Sequence, residues 1–285
     1  MFKNPDLFMK KILVILIDLI LNPIYGKKQF QSFFGFLYGI SIKGFNLRHR
    51  SINDSGEEWL VEKLYKYFDK NQIKPLILDV GANEGQYAQY LVQNFGEQMD
   101  LKCFEPLPTT FQILSQKLAS HPHISFYPFG LGDTPGSLTF FTSSQDSTLN
   151  SLYSKRDDVI NKYDGQTEIE IKCLSEFCLT ENISHIHFMK IDVEGNELAV
   201  LKGGKKLLES QQIDFIQFEF GSRNIDSRTY FEDFFNLLSG NYSLFRIMRN
   251  GLYPLTNYNY DYEIFAIGNY LAISRRINLD VFLKS

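Results

Sequence analysis

The chain has 285 residues, 44% apolar and 15% aromatic, which excludes a disordered polymer and provides for a sizeable core. Twenty-nine basic residues face 33 acidic ones, a net charge of −4, which argues against a protein built to neutralise nucleic-acid phosphates. A mean hydropathy of −0.19 argues against a polytopic membrane protein.

The first element is an apolar run, Ile12–Leu21, preceded by Lys10 and Lys11 and interrupted by Asp18. It is too short to span a bilayer as a helix, which takes about 20 apolar residues. A secretion signal is disfavoured by Asp18 inside the run and by Asn22–Gly26, which has no small-x-small cleavage pattern. Residues 27–50 interleave Phe30, Phe33, Phe34, Phe36, Tyr38 and Phe45 with Lys27, Lys28, Lys43, Arg48 and Arg50. The favoured reading is a helical segment packed on the main domain or on a subunit neighbour; the other is peripheral contact with a membrane surface. The expected organisation is therefore an appendage over 1–50 and one domain over 51–285. The expected location is the cytoplasm, with the inner face of a membrane as the alternative. Cys103, Cys173 and Cys178 are too few and too widely spaced for a disulfide framework, and five scattered histidines make no zinc site.

From Asn53 the pattern becomes regular. Asn53, Asp54 and Ser55 offer N-caps, Glu57 and Glu58 suit a first turn, and Leu60, Leu64, Tyr67 and Phe68 recur at helical spacing. Leu76–Val80 reads as a buried parallel strand. Further strands are expected at Leu101–Phe104, Ile124–Phe129, Phe188–Asp192, Phe215–Phe220, Leu244–Met248 and Ile264–Ile267. Helices fall between them, at about Thr109–Ala119, Glu197–Leu208 with a break at Gly203-Gly204, and 228–238. Gly136–Phe141 and Ile169–Leu174 read as a small β insertion around a polar loop, Thr142–Ser151. The last two strands are expected to be antiparallel across an aromatic loop, Leu252–Tyr262. Strands alternating with helices mean a mostly parallel sheet covered on both faces.

Such sheets bind ligands outside the carboxyl ends of their strands. Asp79, Glu105, Asp133, Asp192 and Glu219 all fall there. In Asp79-Val-Gly81-Ala-Asn83-Glu84-Gly85, glycines between strand and helix let backbone amides approach a ligand. Glu105 follows at the end of the next strand, where an acid accepts from ribose hydroxyls. Asn83 and the acids Asp79 and Glu84 suit a pyrophosphate poorly. They suit the ammonium, carboxylate and sulfonium of S-adenosylmethionine better. Asp133 is placed to accept from an adenine amino group, or else is a turn aspartate before Pro135-Gly136.

These pieces resemble the FkbM family of S-adenosylmethionine-dependent methyltransferases. The matching words are Leu78-Asp-Val-Gly-Ala-Asn-Glu-Gly85, Phe104-Glu-Pro106, Gly130-Leu-Gly-Asp133, Met189-Lys-Ile-Asp-Val-Glu-Gly195 with Glu197-Leu-Ala-Val-Leu-Lys-Gly203, and Phe218-Glu-Phe220. They span about residues 53–270, and the Lys190–Gly195 block is the most specific. The resemblance implies an α/β, class I Rossmann-like fold. It would have a mostly parallel seven-stranded sheet, helices on both faces and a C-terminal antiparallel pair. It implies methyl transfer to oxygen, often a hydroxyl of a sugar, glycolipid or polyketide.

A hydroxyl nucleophile must lose its proton to a base or to a metal-assisted site. Asp192, at the end of its strand, is the first candidate base, followed by Glu194 and Glu219; together these carboxylates could instead hold Mg²⁺. Glu194 could alternatively serve a helix N-terminus, and Glu219 could pair with Arg223. Strand alternation is read as sending Lys190 away from the surroundings of Asp192, to a structural or solvent-facing position. His187 sits at the start of its strand, far from the site. Tyr253, Tyr258, Tyr260 and Tyr262 suit either a glycan acceptor or a packed cover. The expected partners are a small-molecule or glycan acceptor and no nucleic acid, with self-association left open. The competing readings are a nicotinamide-dependent oxidoreductase, thinly supported because Tyr153 precedes Lys155 rather than a lysine four residues on, and a non-catalytic membrane or partner module.

Overall fold

Leu76–Val80, apolar at every position but Asp79, forms strand β1 near the middle of an eight-stranded sheet. The structure is a computed structural model that describes residues 5–48, 51–142 and 165–285. The other strands are β2 (Asp100–Phe104), β3 (Ile124–Tyr127), β4 (Gly130–Gly132), β5 (Gly136–Thr142), β6 (Gly165–Cys173), β7 (Ile186–Ile191), β8 (Ile213–Phe220), β9 (Tyr242–Met248), β10 (Gly251–Leu255) and β11 (Gly268–Ser274). The large sheet runs β10-β9-β11-β8-β7-β1-β2-β3, and β4-β6-β5 form a separate small sheet after the third strand. Strands β3, β2, β1, β7 and β8 are parallel. Strand β11 is antiparallel to both β8 and β9. From β1 the chain moves outward through β2 and β3, then returns to the other side of β1 as β7. Strands β1 and β7 therefore flank the switch point where such sheets open a crevice.

The chain divides into two compact units, Met1–Phe45 and Asn46–Ser285. The first contains α1 (Pro5–Leu21) and α2 (Gln31–Gly44). Asn46 belongs with the second because its side-chain amide donates to the carbonyls of Ser55 and Ile247. The second unit opens with α3 (Ile52–Ser55) and α4 (Glu57–Lys70), followed by α5 (Gln86–Phe95), α6 (Pro108–Lys117) and α7 (Leu174–Thr180). Then come α8 (Glu197–Gly203), α9 (Lys205–Glu209), α10 (Arg223–Asp226), α11 (Phe231–Leu238) and α12 (Leu279–Lys284).

Both sheet faces are covered. On one, Leu60, Leu64 and Phe68 of α4 and Ala88 and Leu91 of α5 share a core with Ile77, Phe188 and Phe215. On the other, α7, α8 and α11 share a core with Leu78, Met189 and Phe218. Each fully buried large side chain contributes about 1.5–3 kcal/mol. In-register pairing places Asp79, Lys190 and Gln217 in one row on the α4/α5 face. That polar row inside an apolar layer positions the site.

Three expectations change. The strand expected at Ile264–Ile267 lies instead at Gly268–Ser274, where all seven residues are buried between β8 and β9. Residues 264–267 are turned tightly, with the Ala266 amide on the Ile264 carbonyl, and cannot join a ladder. Strand β10 brings the large sheet to eight strands; it occupies the start of the expected aromatic loop and tolerates Pro254 because it is an edge. The first turn expected at Glu57 and Glu58 opens α4, but the residues offered as its N-caps form a short helix of their own that ends at Gly56, whose φ of +91° sits where an added Cβ would strike the Met248 carbonyl. Ser51 and Asp54 form a capping box on α3. The polar loop after Thr142, with Tyr153 and Lys155, lies outside the described residues.

Candidate active site

The loop after β1 is folded back on the strands beside it. The Gly81 and Ala82 amides donate to the Phe104 carbonyl, Asn83 donates to Glu105 Oε2 at 3.0 Å, and Gly85 donates to Ala82. Those four amides are thus spent inside the fold, contrary to the expectation that they would face a ligand. The free donors of this turn are the amides that open α5, as at any helix start. Gly81 has φ +83°, and a Cβ there would collide with the Asp192 carbonyl. The Asp192 amide in turn donates to Val80. The two strand-end loops therefore touch, and only glycine permits it. Asn83 and Glu194 also take left-handed backbone, with φ of 48° and 56°; this is uncommon for a glutamate.

Glu105 ends β2 and is buried. Its Oε1 accepts from the Leu107 amide and its Oε2 from Asn83, which leaves one lone pair on each oxygen. Burial pushes its carboxyl up to about 7, against the pull of those two amides. Asp79 is wholly buried, and burial raises it to about 6 against the opposing Lys190 charge. Neither Asp79 oxygen accepts a hydrogen bond, and neither does Asn83 Oδ1. Glu84 is partly buried beside Gln86. Asp133 is exposed after β4, in the small sheet, where the adjoining Gly132 lies near Asn196 at the start of α8.

Strand β7 carries the candidate bases. The Asp192 side chain is 39% exposed, the most open of the set, and accepts from Lys190 Nζ at 3.2 Å. Lys190 is buried, not solvent-facing: residues two apart on a strand share a face, so it points with Asp192. Its Nζ is 3.8 Å from Asp79 Oδ1 and 4.7 Å from the Tyr87 ring centroid. Desolvation opposes its charge, but Asp192 and Asp79 outweigh it and keep the ammonium protonated. Arg223 pairs with Glu194 at 2.8 Å. Burial and the neighbouring Asp192 charge hold both Glu194 and Glu219 above the usual carboxylate range.

Several polar residues of this layer carry no motif and were not expected. Tyr87 donates to Gln217 Oε1 at 3.0 Å, and Gln217 donates to Glu57 at 2.6 Å and to Asn269 at 3.4 Å. Glu197, which the family word does include, ties the β7 loop by accepting from the Val193 and Gly195 amides. A polar residue inside an apolar strand, such as Gln217 in Ile213–Phe220, was the available signal.

At the opposite end of β7 and β8, His185, His187 and Asp214 come together. His185 Nε2 lies 2.8 Å from Asp214, but His187 Nδ1 accepts from the Leu76 amide. A neutral His187 then carries its proton on Nε2 and offers no lone pair to a metal, so the cluster reads as a hydrogen-bonded strand edge. The tyrosines divide: Tyr258 packs on Phe235 and Tyr262 on Phe231, while Tyr253 and Tyr260 are exposed.

Residues 79–262 match the model of the methyltransferase FkbM domain, so the chain belongs to the FkbM methyltransferase family. It is 25% identical over 161 residues to the 2-O-methyltransferase NoeI of Sinorhizobium fredii, covering 53% of this chain and 65% of NoeI. It is 30% identical over 156 residues to the methyltransferase sdnD of Sordaria araneosa, covering 45% of this chain and 60% of sdnD. The chain thus spans about three fifths of the length of the curated relatives it matches. Among solved structures, Aeropyrum pernix fibrillarin with natively bound S-adenosyl-L-methionine superposes at a TM-score of 0.40 and 11% identity, over 70% of this chain and 66% of that one. Likeness of that extent carries no inference about ligand or substrate.

The family implies S-adenosylmethionine, and the residues fit it. The uncommitted acceptors on Asp79 and Asn83 and the spare lone pairs of Glu105 suit a donor-rich cation. Asp79, Gly81, Asn83, Glu84, Gly85 and Glu105 adjoin one another around the β1 end. Asp133 follows β4, whose first residue Gly130 lies beside Pro106, the residue after Glu105.

Proposed function

We propose that this chain transfers the methyl group of S-adenosylmethionine to a hydroxyl of a sugar, glycolipid or related acceptor. Bound above β1, the cofactor would supply an electrophilic methyl group. Glu105 would hold the ribose hydroxyls, and Asp133 the adenine amino group. Asp192 would take the acceptor's hydroxyl proton as general base. Glu194 and Glu219 stand beside it, and burial with the Asp192 charge favours their neutral forms, which leaves Asp192 as the carboxylate that takes the proton. Lys190 fixes the Asp192 carboxylate from below.

The observation that carries this reading is the contact between the glycine loop and the Asp192 backbone, which sets the candidate base against the cofactor loop. The acceptor class is supported by NoeI, a 2-O-methyltransferase, and by the exposed Tyr253 and Tyr260. A cytoplasmic enzyme working at a membrane face would meet a lipid-linked acceptor there. Incubation with methyl-labelled cofactor and a panel of sugars and glycolipids, read by mass spectrometry, tests the proposal. Label on a hydroxyl supports it. Label only on amines or thiols overturns the acceptor assignment.

A further inference from the structure

The charge of the chain is divided between its two units. Residues 1–45 hold six lysines and two aspartates, a net +4, so the remaining residues carry −8. The near-neutral total conceals a basic unit joined to an acidic one. The basic unit is also the apolar one. From Ile12 to Ile20 every residue but Asp18 is apolar, and those eight side chains are exposed, from 38% at Ile12 to 73% at Ile20. Consecutive residues advance 100° around a helix, so the eight apolar side chains cover the helix on every side but the line of Lys11, Asp18 and Asn22. In α2, Phe33, Phe36 and Ile40 are exposed at helical spacing and form a second apolar stripe.

A protein groove, or a second copy of the helix, would cover one stripe of α1 and leave the opposite side wet. A lipid surface covers the broad apolar face and leaves the Asp18 line toward water. No helix among the described residues is long and apolar enough to cross a membrane. Lysines stand at both ends of the apolar run, Lys10 and Lys11 before it and Lys27 and Lys28 after it. That arrangement keeps both ends at headgroup level. Asp18, the one acid in the run, accepts from the Tyr25 hydroxyl at 2.8 Å, so its carboxylate has a partner. Tyrosine is at home at that depth.

We propose that residues 5–45 form a monotopic anchor that inserts α1 shallowly into an anionic lipid surface, with the lysines on the headgroups. The inference is independent of the methyl acceptor.

The test is flotation of the full chain with vesicles of phosphatidylcholine alone, or with about 30% phosphatidylglycerol. The proposal expects binding to the anionic vesicles at least about tenfold above the neutral ones, weakening with added salt. Leu16→Glu should lower it about tenfold, and Lys27→Glu with Lys28→Glu should remove the preference for anionic lipid. Each variant must retain S-adenosylhomocysteine binding equal to the parent, which separates loss of the anchor from loss of the fold. Failure to float with anionic vesicles overturns the proposal. So does undiminished flotation of Leu16→Glu, or a soluble oligomer that Leu16→Glu dissociates while vesicles bind neither form.

Discussion

The Lys190 ammonium donates to Asp192 at 3.2 Å from a side chain that is only 7% exposed. It is also the nearest positive charge to the wholly buried Asp79. One lysine thus serves an acid inside the sheet and an acid at its edge. Removing it as Lys190→Met strands Asp79 without its counter-charge and should cost about 3–5 kcal/mol of stability. Asp79→Asn in the same chain should return much of that. Urea unfolding of the two single variants and the double variant checks the coupling.

Asp192→Asn keeps the shape of the side chain and removes the proton acceptor. Turnover should fall about 10²–10⁴-fold while S-adenosylhomocysteine affinity stays within a few-fold. Single-turnover kinetics beside calorimetry reads both. Full activity in this variant removes Asp192 from the chemistry.

Gly81→Ala sets a Cβ against the Asp192 carbonyl from a backbone with φ +83°. The variant should lose more than about 1 kcal/mol of stability and bind cofactor more weakly, because the two loops must part. Thermal unfolding and calorimetry measure the two effects.

The acids of this edge also predict how stability depends on pH. Burial raises Glu105 and Glu197 to about 7 and Asp79 to about 6, above their unfolded values of about 4. Between the unfolded and folded values the native state holds more protons than the unfolded state. Stability is then greatest below about pH 4–5 on this account and declines as pH rises to about 7. The melting temperature of the ligand-free protein should therefore fall from pH 5 to pH 8. A bound cation should offset part of the decline. A melting temperature that rises over this interval contradicts the assignment.

The parallel half of the sheet was readable because buried parallel strands are uninterrupted apolar runs. Leu76–Val80 and Phe215–Phe220 appear as expected, and Asp79, Glu105, Asp192 and Glu219 lie at the carboxyl ends of β1, β2, β7 and β8. The antiparallel edge was less readable. Ile264–Ile267 and Gly268–Ser274 are adjacent apolar segments, and only pairing between β8 and β9 selects the second. Strand β10 was hidden by Pro254, which an edge strand tolerates. The glycine loop was located correctly, but the partners of its amides depend on Phe104 and Glu105, a strand away. Lys190 was misread by comparing it with the neighbours of Asp192 rather than with Asp192 itself, two residues on. Gln217, Tyr87, Glu57 and Asn269 meet only through tertiary packing, so no local spacing announced them.

The most direct test of the central claim is calorimetric titration of the full chain and of Glu105→Ala with S-adenosylhomocysteine. The account predicts one saturable site in the parent chain and a loss of affinity of at least about tenfold in the variant, which keeps its fold by circular dichroism. No binding to the parent chain, or equal binding by both, would contradict a methyl-donor site at the carboxyl ends of β1 and β2.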